Sequence, residues 1–187
     1  GTGSGFTVND GSTASGGVDS VDLFYVSTHG GTTDANARLA LWGDQQRVRS
    51  SEWRLGDNSD QVMIFSQYAC ATMKEDGHFM ARWSNPFRGG VYIVTGSQDK
   101  VYDGLTTDET GEDYADDLQD GKSVKWAWFD GNGDWWADQD VAVYASGSSL
   151  ANCRNRRDGI TWQNAGSFTR LRDNNVARVC GAWIWDN

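Results

Sequence analysis

Residues 21–31 read VDLFYVSTHGG, and residues 61–73 read QVMIFSQYACATM. Each is a near-continuous apolar run, and each stops at a residue able to do chemistry: His29 in the first, Cys70 in the second. Near-continuous apolar runs of this length predict strands buried on both faces, as in a parallel sheet, rather than the alternation of a half-solvated strand. Three more runs have the same style. GGVYIVTGS (89–97) and QDVAVYASG (139–147) read as strands, and VARVCGAWIWD (176–186) reads as a fifth.

Helical spacing lies between the runs. ATMKEDGHFMARWSN (71–85) sets Met73, Phe79, Met80 and Trp83 at helical intervals, with Gly77 as a weak point. The stretch 107–130 opens with Thr and acidic residues, suited to the positive end of a helix, and divides at Gly121 into two helices. TDANARLALWG (33–43) reads equally as a short helix or an extended excursion. Strands alternating with helices predict an α/β fold: a three-layer α/β/α sandwich with a mostly parallel sheet. The 187 residues suffice for one domain with a full core. We read residues 18–187 as that domain. The Gly-, Ser- and Thr-rich segment 1–17 reads as a flexible lead-in of a processed chain.

Composition narrows the function classes. The chain is 38% apolar with ten tryptophans and a formal charge of −10. An acidic surface is a poor partner for nucleic acid, whose phosphates need Lys and Arg. No apolar run approaches the ~20 residues of a membrane span. No motif specifies an oligomeric state. Of the three cysteines, Cys153 and Cys180 lie in segments rich in loop residues and form a disulfide if the chain is secreted, which leaves Cys70 unpaired.

Catalytic groups of a parallel sheet collect at the carboxyl ends of its strands, where His29 and Cys70 stand. Gly30 and Gly31 leave room beside the histidine for a substrate backbone. With a helix starting just after it, Cys70 would sit at the helix N-terminus, which favours a thiolate nucleophile. An imidazole nearby serves as base for the thiol and acid for the leaving group. The amides of Gly30 and Cys70 are candidates for an oxyanion hole.

The order apolar strand, His-Gly, apolar strand, Ala-Cys, carried by LFYVSTHGG and MIFSQYACAT about forty residues apart, resembles the caspase–hemoglobinase clan of cysteine peptidases. The next strand GGVYIVTGS and the later VKWAW helix extend the resemblance over roughly residues 18–147. It implies a caspase-like fold and peptide or protein substrates. It also implies hydrolysis through a Cys-His dyad, with Cys70 as nucleophile, His29 as general acid and base, and no obligatory third member or cofactor. In that clan the loop after the strand following the cysteine shapes the specificity pocket. Here that loop is GSQDKVYDGL, whose Asp99 or Asp103 would pair with a basic substrate side chain unless Lys100 between them neutralises the pair. A non-catalytic domain of the same fold is the alternative.

A second alternative comes from DGNGDWWADQD (130–140). Its oxygen donors Asp130, Asn132, Asp134, Asp138 and Asp140 suit Ca²⁺, although Trp135 and Val141 break the EF-hand pattern. Dense tryptophans at 126, 128, 135, 136, 162, 183 and 185 would then make the chain a secreted, calcium-dependent carbohydrate-binding module. Core packing accounts for most of those rings.

Overall fold

The computed structural model describes residues 18–40, 47–53, 55–56, 62–101, 109–132 and 139–184. The expected lead-in over 1–17, Asp103, Asp134, Asp138, Trp135, Trp136 and Trp185 lie outside the described residues.

All five apolar runs join one sheet. Its strands are β1 (Leu23–Ser27), β5 (Ile64–Tyr68), β6 (Ile93–Ser97), β7 (Val141–Gly147) and β8 (Arg178–Ile184), in the spatial order β1-β5-β6-β7-β8. β1, β5 and β6 are parallel, with Ser27 beside Tyr68 and Ile64 beside Ile93. β7 is antiparallel to both β6 and β8, so four of the five strands run the same way. The fold is mixed α/β with a mostly parallel sheet.

The central strands β5, β6 and β7 are buried along their whole length, which is why their sequences carry no polar face. Successive residues feed two separate cores. Phe65, Val94 and Ala142 pack with Trp83 and Phe87 of α1 (Phe79–Gly89). Ile64, Ile93 and Val143 pack with Tyr114 and Leu118 of α2 (Thr110–Gln119) and Trp128 of α3 (Val124–Asn132). Gly121, at φ +86°, separates α2 from α3 as the spacing predicts. Trp53, Trp83 and Trp128 are fully buried. Removing each such side chain from water contributes roughly 1.5–3 kcal/mol.

The ambiguous stretch after His29 is extended. β2 (Gly30–Thr32), β3 (Ala37–Ala40) and β4 (Arg47–Arg49) make a separate antiparallel sheet in the order β2-β3-β4. Ala37, Leu39 and Val48 face inward and join the core under α1, which decides the question in favour of period two.

Two expectations fail. The helix read over 71–85 begins only at Phe79 and runs to Gly89. Residues after Cys70 instead continue beside the end of β6: the Ala71 N–H donates to Asp99 O (2.7 Å) and the Met73 N–H to Ser97 O (2.9 Å). The segment around Cys153, read as loop, is helix α4 (Leu150–Gly159). It has no clean apolar stripe. Ser149 caps it by accepting from the Asn152 N–H, and the fully buried Cys153 bonds to Cys180 of β8. The disulfide closes a span of 27 residues, worth about 3–4 kcal/mol on the chain-entropy account.

Candidate active site

His29 and Cys70 follow the carboxyl ends of adjacent parallel strands. The last β1–β5 pair is Ser27 with Tyr68, and the Thr28 N–H still donates to Tyr68 O at 3.1 Å. His29 is the next residue and is exposed; Cys70 lies two residues beyond Tyr68 and is half-buried. Gly30 then presses the histidine loop onto the cysteine loop. A Cβ there would meet Cys70 O at 2.7 Å, Ala69 Cβ at 2.8 Å and Thr72 Cγ2 at 2.9 Å. Only glycine admits this approach.

The small sheet fixes the direction of the Gly30 amide. His29 O accepts from the Ala40 N–H at 2.8 Å. The alternation of an antiparallel ladder then leaves Gly30, opposite Leu39, at a non-hydrogen-bonded position with its N–H turned away from β3. Thr28 Oγ1 also donates to Ala40 O, so both ends of the histidine residue are tied down.

Cys70 is a free thiol, whereas Cys153 and Cys180 are bonded to each other. It sits in a turn, not at a helix N-terminus, because Ala71 adopts φ +52° and turns the chain along β6. Thr72 O accepts from the indole N–H of Trp83 at 2.9 Å, which anchors the turn on α1. The sulfur accepts from the Val101 N–H at 3.3 Å, on the β6 side of the strand. The thiol is thereby positioned without a hydrogen bond to the His29 ring.

A residue that sequence reasoning passed over joins the two loops. Arg82 of α1 has a side chain 0% exposed. Its Nη1 donates to Thr33 O (3.3 Å) in the histidine segment, and its Nη2 donates to Lys74 O in the cysteine segment. Asp76 takes both nitrogens, with Oδ1 2.6 Å from Nη2 and Oδ2 3.1 Å from Nη1. The hydrogen bond from Arg82 holds the Asp76 carboxyl at about 2, below its ordinary value of 3.8.

Beside His29 opens a hollow of about 130 Å³, whose walls include His29, Gly30, Thr32, Arg38 and Arg47 but not Cys70. The arginines were invisible as a group while 33–43 could be a helix. On β3 and β4 they alternate with the buried Leu39 and Val48, so they share the outward face.

Asp99 stands in the loop after β6, as read from the sequence, whereas two of the calcium candidates belong to a helix. The exposed Asp99 carboxylate accepts from its neighbour's N–H, Lys100, at 2.8 Å, while its carbonyl supports Ala71. Asp130 and Asn132 stand on α3 rather than in a loop. Asp130 pairs with Lys122 (2.9 Å), and Asn132 is buried with its amide on Trp128 O (2.8 Å). Asp140 uses its carbonyl to accept from the Gln98 N–H at 2.7 Å. Among the described residues no group of three or more His, Cys, Asp and Glu side chains is placed to hold a metal ion. Trp126, Trp162 and Trp183 are exposed, on α3, on the turn after α4 and on β8, while Trp128 is core. Among the described residues no helix is long and apolar enough to cross a membrane.

A family model described as a domain of unknown function (DUF6345) matches residues 4–187, and the chain belongs to that family. No curated protein matches the chain.

Proposed function

We propose that this member of the DUF6345 family is a cysteine peptidase of caspase-like, three-layer architecture, acting on peptide or protein substrates through Cys70 and His29. One observation carries the reading: an exposed imidazole and the unpaired thiol follow the ends of two hydrogen-bonded parallel strands, with Gly30 packed on the cysteine carbonyl. The two cores on opposite faces of the sheet support the architecture.

In this reading Cys70 Sγ gives its proton to His29 and bonds to the scissile carbonyl carbon. The oxygen takes up negative charge beside the amides of Gly30 and Cys70. The C–N bond then breaks as His29 passes the proton to the leaving amine. Water attacks the resulting thioester, His29 accepts its proton, and the carboxylic acid leaves as the thiol is restored. The disulfide supports an oxidising, extracellular setting, since such bonds are rare where glutathione keeps thiols reduced.

Thiol alkylation tests the reading. Iodoacetamide labelling of Cys70 at neutral pH should fall at least ten-fold in His29→Ala, with peptide hydrolysis abolished in Cys70→Ala. Equal labelling rates in both proteins, with no hydrolysis, would leave a non-catalytic domain of the same fold.

A further inference from the structure

We infer that the hollow beside His29 is a carboxylate-binding subsite for the part of the substrate that leaves with the amine. The inference rests on the peptidase reading for the word "leaving" and on the arginines for the word "carboxylate".

Arg38 and Arg49 stand directly opposite each other on the antiparallel pair β3–β4, and Arg47 shares their face two pairs further along. Like charges placed opposite on a sheet repel and destabilise it. In a chain of net charge −10, carboxylates are plentiful, yet none of these three guanidinium groups makes an ion pair among the described residues. Arg38 is half-buried, and its Nε is shut off from solvent without a hydrogen-bond partner among the described residues. A buried donor left unpaired is costly, and a planar fork of N–H groups is satisfied best by a carboxylate held through two bonds. Arg38 and Arg47 both line the hollow, whose other wall is His29.

The side of the scissile bond follows from the chemistry. The carbonyl carbon must reach Cys70, and the amine nitrogen must reach the proton on His29. The hollow starts at His29 and Gly30, extends to Thr32 and is not lined by Cys70, so it takes chain beyond the amine. The carboxylate has two possible sources, an acidic side chain just after the cleaved bond or the free C-terminus of a short substrate.

The test uses the full chain carrying Cys70→Ala and three peptide pools with randomised flanks. One has a fixed Glu and an amidated end, one has Gln and an amidated end, and one has Gln and a free carboxylate end. Binding is read by titration calorimetry, with the arginine Nε–Hε signals followed by NMR. At least one carboxylate pool should bind ten-fold or more tighter than the neutral pool and shift the Arg38 signal. Arg38→Gln should remove the difference, and Arg157→Gln, whose guanidinium already pairs with Asp158, should not. The pool that depends on Arg38 names the source. Should Arg38→Gln fail to fold, the exposed Arg47→Gln replaces it. Equal binding of all three pools, or a preference that survives both arginine variants, would overturn the subsite. Digestion of the same pools by the unsubstituted chain separates the two proposals. Cleavage with no acid enrichment after the cut sinks the subsite and keeps the peptidase. Arg38-dependent binding without any cleavage keeps the carboxylate site and sinks the peptidase.

Discussion

A side-chain carbon on Gly30 would stand 2.7 Å from the carbonyl oxygen of Cys70, so the residue after the histidine and the cysteine itself touch backbone to backbone. That contact sets the spacing of the candidate dyad more directly than either functional side chain does.

Gly30→Ala should therefore cost about 1–3 kcal/mol of stability, because backbone and Ala69 cannot yield as a flexible side-chain end would. Chemical denaturation measures it. Gly31→Ala serves as the control, since nothing stands within 4 Å of a Cβ there. Cys70 labelling should change in the first variant and not in the second.

Asp76→Asn should destabilise the fold by about 1.5–3 kcal/mol, the range for hydrogen bonds to a charged group, because it takes the carboxylate from the buried Arg82. The pH dependence has a definite sign. The Asp76 carboxyl titrates at about 2 in the folded chain against an ordinary 3.8, so its contribution is complete above pH 3.8 and fades as pH falls toward 2. Unfolding curves from pH 6 to pH 2 should show that part of the acid loss missing from the Asn variant.

Replacing both Cys153 and Cys180 by Ser should lower stability by about 3–4 kcal/mol on the chain-entropy account. The bond joins α4 to β8 at the sheet edge opposite β1, so Cys70 labelling of the folded variant should keep its His29 dependence. Thiol titration of the unreduced, denatured chain should count one free sulfhydryl.

Arg49→Glu should stabilise the small sheet by about 0.2–1 kcal/mol, since it sets an opposite charge across from Arg38. The same change should weaken capture of the carboxylate peptides, because Arg38 then has an internal partner. Melting temperature and peptide affinity should move in opposite directions.

The sheet was legible because burial on both faces leaves its mark as apolar runs, and all five such runs are strands. Pairing direction was not legible. β7 and β6 carry the same kind of sequence, yet β7 runs antiparallel to β6. α4 was missed because its anchoring comes from Cys153 and from the buried Arg156, not from an amphipathic stripe. The ends of β1 and β5 could be read from His29 and Cys70 marking the close of each run. The supporting groups could not. Arg82 lies on a helix whose start was misplaced by eight residues, from 71 to Phe79. Arg38, Arg47 and Arg49 become a set only once 33–43 is known to be extended.

Arg82 has a consequence for motion. It grips Thr33 O on one side and Lys74 O on the other from the rigid body of α1. The His29 and Cys70 loops are thus fastened to one bolt, the Arg82 guanidinium. Any displacement of the histidine loop must therefore drag the cysteine loop with it or break the cation free of Asp76, so the two loops move as one unit.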